Sequence, residues 1–266
     1  MTYWIRFKHA GREAFGTLDQ GMIDIHDGDM FDAPVATGRR VALDDVEVMT
    51  PTQASKMIGL WNNYHALAEK LGQAIPAEPL YFVKTANSYL AHGGTIRKPP
   101  SYTGKVAYEG ELGIIIGKAC RNADAEQAAA AIFGYTCVND VTALEILTRD
   151  ATFAQWVRAK SCDTFGVFGP VISTGLDPQK LIVRTVLNGK ERQNYPCSDM
   201  IFNPAQIVSM ISREMTLLPG DVIACGTSLG VGPMRGGCTI EIAIDGIGEL
   251  RNTFEDGSEN KVENQP

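Results

Sequence analysis

The chain has 266 residues, 44% hydrophobic and 21% charged, which describes a globular sequence long enough to bury a substantial core as one large domain or two modest ones. Its 24 basic and 31 acidic residues give 24 − 31 = −7, which excludes a general affinity for nucleic acid or anionic membrane surfaces and leaves room only for a local basic pocket. The charged N-terminal stretch MTYWIRFKHAGREAFG lacks a signal-peptide core, no later run reaches the ~18 apolar residues of a membrane span, and the six cysteines form no C-x-x-C pair, so the expectation is a cytoplasmic protein with reduced, largely buried thiols.

Short alternating segments broken by Gly and Asp (YWIRF, EAFGTL, GMIDIHDG) predict a small N-terminal β subdomain over residues 1–50. Residues 51–266 form the larger domain. It opens with a strand in ASKMIGL and a helix in WNNYHALAEKLGQAIPAEP that ends near Gly72 and by Pro76. The stretch from Arg97 to Tyr102, with Pro99 and Pro100, is a connection. From Glu111 onward the order is strand (LGIIIG), helix (ADAEQAAAAIF, capped by Asn122 or Asp124) and strand (GYTCVND). Asn188-Gly189 inside LIVRTVLNGKERQ is a hairpin signal, and Asn203-Pro204 opens a helix running to about Met215. LLPGDVIACGTSLGVG and CTIEIAIDGIGELRNTF place Pro-Gly and Asp-Gly turns between strands, and the polar close EDGSENKVENQP predicts a frayed tail. The balance is an α+β chain with a mixed or antiparallel β core.

The stretch YEGELGIIIG sets two acids two positions apart at the head of an apolar strand. Side chains alternate faces along a strand, so Glu109 and Glu111 point the same way with Cα atoms ~6.5 Å apart. Their repulsion must be offset by solvent, a basic partner, a shared proton or a cation. A third acid, Asp140, ends GYTCVND and converges on the first two if the strands pair. Three carboxylates make an all-oxygen site suited to Mg²⁺ or Mn²⁺, whereas the bland alternative is a solvated strand face. Lys160, in RAKSCDTFGVFGP, either neutralises an oxyanion at such a site or is an ordinary solvated lysine. His65 and Glu69 share a helix face at i,i+4, the spacing of a general base with its orienting acid and equally of an exposed surface pair. Thr227 and Ser228, in the glycine-rich GTSLGVG, are candidate substrate contacts; the loop matches neither dinucleotide nor phosphate-loop spacing.

Taken together, YEGELGIIIG, GYTCVNDVTA, RAKSCDTFGVFGP, NGKERQ with SDMIF, and LLPGDVIACGT stand in an order that resembles the fumarylacetoacetate hydrolase superfamily, from about Ile58 to Phe254. The resemblance implies a β-rich mixed sandwich or roll core, a divalent metal (Mg²⁺ or Mn²⁺) on Glu109, Glu111 and Asp140, a functional lysine at Lys160, a homodimer, and 2-oxo acids or their enols as small-molecule substrates. Two departures stand out. Family members often read N-Y-x-x-H-A-x-E, whereas GLWNNYHALAE brings its Glu one position late; and where they often carry Arg and Gln after the Asp, DVTALEIL has Leu144 and Leu147, a more apolar lining. The activity first expected is metal-dependent hydrolysis of a carbon–carbon bond in a 3-acylpyruvate-like β-diketo acid. His65, oriented by Glu69, would activate water, Lys160 would neutralise developing charge, and Lys84 would either contact the substrate's anionic end or be structural. The alternatives are a metal-dependent decarboxylase or isomerase of 2-oxo or 2-hydroxy-diene dicarboxylic acids in aromatic catabolism, and a non-catalytic relative that binds metal or 2-oxo acid.

Overall fold

Short hairpins build most of the chain in the computed structural model, which describes residues 1–257. The fray predicted for EDGSENKVENQP falls largely outside the described residues. Ala10-Gly11, Gln20-Gly21 and Asn188-Gly189 each hold both residues at positive φ (48° and 78°, 48° and 79°, 50° and 71°), the turn geometry whose twist matches the flanking strands. The first two turns join Thr2–His9, Arg12–Asp19 and Met22–Asp29 into a meander completed by Asp32–Ala42. The third closes Ile182–Leu187 on Lys190–Pro196, at the Asn-Gly pair where the sequence predicts it.

The N-terminal meander extends a larger sheet, because Thr2, Tyr3 and Trp4 pair with Thr174, Ser173 and Ile172. From there the 12-stranded sheet runs through Gly166–Thr174, Ile132–Asp140, Gly110–Ile116, Val222–Ala224, Met57–Trp61 and Leu80–Lys84. It is mixed: Val222–Ala224 pairs parallel to Met57–Trp61, while most other neighbours are antiparallel. A five-stranded sheet, ordered Lys190–Pro196, Ile182–Leu187, Thr239–Ile244, Gly248–Glu255 and Thr95–Arg97, packs across its central strands. Alternation supplies the core between them: Leu112, Ile114 and Cys137 face Val183, Ile240, Ile242 and Leu250. The intervening residues Ile115, Val138, Phe168 and Val222, with Met57 of the same sheet, form a second buried cluster on its other face together with Met30 and Ala54. This is the strand-rich α+β sandwich that the sequence leads one to expect.

Helix ends follow their caps. His65–Leu71 stops at Gly72, whose φ of 64° is the left-handed cap conformation that glycine adopts without strain. Of the two candidate caps before Ala125–Ala131, it is Asp124 that forms a capping box with Gln127. Asn203 and Gln206 do the same for Pro204–Ser212, which ends before the expected Met215. All six cysteines are free thiols. Among the described residues no helix is long and apolar enough to cross a membrane.

Candidate metal centre

Strand register brings the acids together. Gly110–Ile116 pairs with Ile132–Asp140 so that Gly110 faces Asn139 and Glu111 faces Val138. One residue further, Glu109 lies opposite Asp140, held by the bond from Asp140 N to Glu109 O at 2.9 Å. Opposed residues share a sheet face, and so do residues two apart, so the three carboxylates converge with ligand oxygens within 4.8 Å of one another. The strand is not continuous through them. Val106–Tyr108 pairs instead with Thr142–Ala143, and Glu109 sits at the break where the chain passes into the main sheet. Gly110 makes this crossing sterically feasible: a Cβ there would lie 2.1 Å from Thr185 Oγ1.

Every carboxylate oxygen but one has a partner. Lys160 Nζ donates to Glu109 Oε2 at 2.8 Å and Asp140 Oδ2 at 2.5 Å, and Lys84 Nζ donates to Asp140 Oδ1 at 2.5 Å. Thr142 Oγ1 donates to Glu109 Oε1 at 2.6 Å. Gly226 N donates to Glu111 Oε2 at 2.8 Å from a backbone at φ 88°, a conformation suited to glycine. Glu111 Oε1 is buried with no hydrogen-bond partner. A carboxylate oxygen left bare in the interior is costly, and it answers to a proton or a cation. Each partnered oxygen has a second lone pair, so the cluster offers an all-oxygen donor set that fits a hard divalent ion such as Mg²⁺ or Mn²⁺.

Burial and charge separate the groups. Glu111 is driven well above the usual carboxylate range, first by burial and then by the charges of Asp140 and Glu109. Burial pushes Asp140 the same way, but Lys160 and Lys84 outweigh it and hold its carboxyl low. Lys160 is shifted upward despite burial, because Asp140 and Glu109 favour its charged form. Lys84 is shifted downward by burial, with Lys160 adding repulsion against the pull of Asp140. Glu109, with 14% of its side chain exposed against 0% for Asp140, marks the side nearer solvent.

The other residues singled out from sequence stand differently. His65 and Glu69 are both exposed on their helix, and among the described residues no hydrogen bond or ion pair joins them. Lys84 is fully buried and donates to Asp140 Oδ1 and Val141 O, which places it beneath a carboxylate of the cluster. Thr227 Oγ1 donates to Gly110 O at 3.0 Å and accepts from Gln193 Nε2 at 2.9 Å, whereas Ser228 Oγ is buried without a partner. Gln193 escaped sequence reasoning. Its Oε1 accepts from Gly110 N at 3.0 Å and Thr185 Oγ1 at 2.8 Å, while its amide nitrogen reaches Thr227, Ser228 O and Leu229 O, tying hairpin, acidic strand and glycine-rich loop together. Tyr195 adds a hydroxyl bond to Gly110 O. The position of Gln193, two residues beyond Glu191 on a hairpin edge, carries no local signal of that role. Thr142 was likewise not singled out, although its place two residues after Asp140 is a local signal.

Thr164 holds a left-handed φ of 69°, unusual for a β-branched residue, four positions after Lys160. Its hydroxyl accepts from Arg97 N at 2.8 Å, and Asn87 Nδ2 donates to Ser161 O at 3.0 Å and Asp163 Oδ1 at 2.6 Å. These bonds pin the turn that carries Lys160 into the cluster.

The family model described as "Fumarylacetoacetate (FAA) hydrolase C-terminal" matches residues 56–255, and "Rv2993c-like, N-terminal" matches residues 4–51. Oxaloacetate tautomerase YisK of Bacillus subtilis is 37% identical over 214 residues, covering 76% of this chain and 70% of that protein. Among solved structures, 2-hydroxyhepta-2,4-diene-1,7-dioate isomerase from Mycobacterium marinum is similar with a TM-score of 0.89 at 37% identity, covering 97% of this chain and 100% of that one. Maleylpyruvate hydrolase from Sphingobium sp. SYK-6, in complex with manganese(II) and pyruvate, gives a TM-score of 0.78 at 27% identity over 97% of this chain and 100% of that one.

Proposed function

The chain belongs to the fumarylacetoacetate hydrolase family, and from that premise we propose that it is a divalent-metal-dependent enzyme that moves a proton between the enol and keto forms of a 2-oxo acid. The observation that carries the reading is the cluster itself: three carboxylates, one with an unpartnered buried oxygen, and two enclosed lysines. With all acids ionised the sum is −3 + 2 = −1, and a divalent ion brings it to +1, the complement of a 2-oxo acid carboxylate. Glu109, Glu111 and Asp140 would hold Mg²⁺ or Mn²⁺, which when bound would act as a Lewis acid toward a chelated 2-oxo group.

The protein's own part follows from the contacts. Lys160, kept protonated between Glu109 and Asp140, acts as a fixed positive charge for the developing enolate oxygen and does not serve as a base. Lys84 fixes the orientation of Asp140 from below. Substrate and its exchanging proton arrive on the Glu109 side, where the cluster is least enclosed. Water activation by His65 lacks support, since His65 and Glu69 are exposed and unjoined, and relatives named tautomerase and isomerase favour proton transfer.

Hydrolysis remains as a second reading, favoured by the likeness to the maleylpyruvate hydrolase bound to manganese and pyruvate. The experiment that separates them incubates the protein, with and without Mg²⁺, with enol-oxaloacetate, acetylpyruvate and a 2-hydroxyhepta-2,4-dienedioate, following enol absorbance and released acids. Proton transfer gives Mg²⁺-dependent loss of enol absorbance with no cleavage products. Stoichiometric acetate and pyruvate from acetylpyruvate, with the other enols untouched, would overturn it in favour of hydrolysis.

A further inference from the structure

Lys160 is the inner end of an aromatic ladder. Its Nζ lies 5.0 Å from the centroid of the Phe82 ring while it grips Glu109 and Asp140. Phe82 stacks on Trp156 at 5.4 Å with an interplanar angle of 14°, and Trp156 meets Trp61 at 5.3 Å. Exposure rises along this row, from Lys160 at 2% and Phe82 at 7% to the half-exposed Trp156 and Trp61. The short helix Leu144–Leu147 begins directly after the strand that bonds Glu109 through Thr142, and it packs against the helix Trp156–Lys160. Leu144 and Leu147, three apart and both half-buried, share one face, and Leu147 O accepts from Gln155 N at 3.1 Å, directly beside Trp156.

Apart from Lys160, the helix face that carries Trp156 presents no charge. Trp156 and Lys160 are four apart and so lie on one helix face, while the exposed Arg158 between them points to the opposite side. Both lysines of the cluster are committed to carboxylates. A second carboxylate on the substrate would meet indole and leucine there, and an aryl or branched alkyl group would meet surfaces that match it.

We infer that the group carried on C3 of the 2-oxo acid is apolar, and that Trp156, with Trp61 and Leu147, is the surface that recognises it. This rests on the metal-dependent 2-oxo acid reading above, and it narrows that reading to arylpyruvate-like or branched alkylpyruvate-like enols.

The test uses the full chain loaded with Mg²⁺ and two readouts. Enol–keto exchange of phenylpyruvate and oxaloacetate is compared, and binding of the unreactive 3-phenyllactate and malate is measured by calorimetry. The expected result is a kcat/KM and an affinity each higher by about tenfold or more for the phenyl member, the effect of one well-buried aromatic contact. Trp156→Ala should erase that preference by lowering the phenyl values about tenfold more than the dicarboxylate values. Leu147→Arg, which leaves the ladder intact, should reverse the preference and guards against a Trp156→Ala variant that fails to fold. A wild-type preference for oxaloacetate and malate, or equal losses for both ligands in either variant, overturns the inference. If neither enol is exchanged, the proton-transfer reading fails and calorimetry alone decides: tighter phenyllactate binding upholds the apolar surface, and equal or absent binding rejects it.

Discussion

Replacing Lys84 with methionine isolates one charge at the base of the site. Lys84 is fully buried and bonds Asp140 Oδ1 at 2.5 Å, so the variant keeps the aliphatic volume and deletes the ammonium from beside a carboxylate that has no exposure. Breaking a buried pair costs about 3–5 kcal/mol; the lower end applies, since Lys160 still holds Asp140 Oδ2. At roughly 2.1 cal/mol/K per residue, 266 residues give an unfolding entropy near 0.56 kcal/mol/K, so a loss of about 3 kcal/mol lowers Tm by about 5 °C. Thermal melts followed by circular dichroism in EDTA measure this. Saturating Mg²⁺ should then narrow the gap, because the cluster changes from −3 + 2 = −1 to −3 + 1 = −2 and a cation restores the missing positive charge. A fall of less than about 1 °C, or a gap that widens with Mg²⁺, refutes the reasoning.

Lys160→Met should retain most Mg²⁺-induced stabilisation and lose about a hundredfold or more in kcat, as expected for removing a preorganised electrostatic contact; steady-state rates on the responsive enol check it. Glu111→Gln should abolish the Mg²⁺-dependent rise in Tm while leaving the metal-free Tm no lower, since it removes a buried carboxylate oxygen that has no partner; paired melts with and without the metal decide. His65→Ala, on an exposed helix face, should change turnover by no more than about twofold if the enzyme only moves a proton, whereas a hydrolase using His65 as its base would lose about a hundredfold. Gln193→Leu leaves Gly110 N and the Thr185 hydroxyl unpaired in the interior, at about 1–3 kcal/mol for each, while Thr227 keeps its bond to Gly110 O, and should lower the urea midpoint accordingly.

Legibility from sequence tracked the range of the contacts. Glu109 and Glu111 announce themselves by strand alternation, and Asp140 follows once adjacent strands pair, because all three depend on periodicity and one register. The Asn188-Gly189 hairpin and the Asp124 and Asn203 caps are equally local. Lys84 reaches Asp140 across 56 positions and Gln193 reaches Gly110 across 83, and nothing near either residue in sequence encodes such a partner. The His65–Glu69 spacing was readable as one helix face. Which way that face turns is decided by docking, here by Ala66 N on Asp199 Oδ2 and by burial of Ala68, and the pair is left outward. The break in the strand at Glu109 was likewise invisible, since the sequence shows a strand from Glu111 onward and nothing in it signals the separate pairing of Val106–Tyr108.

Two lysines that share Asp140 as partner nevertheless divide the work by position. Lys84 hydrogen-bonds Asp140 and the carbonyl of Val141, both sealed from solvent, and burial pulls its pKa down; its place is that of a group that orients a carboxylate. Lys160 touches two carboxylates, one of them the least enclosed of the cluster, and its remaining flank rests over Phe82, a ring that keeps water away without competing for its protons. A cation shielded on one side by an aromatic face and anchored on the other by two acids stays charged, and in the proposed reaction its field would act on an anion formed beside Glu109. Identical side chains therefore act differently because one is walled in and the other stands at the boundary between the acidic cluster and the aromatic ladder.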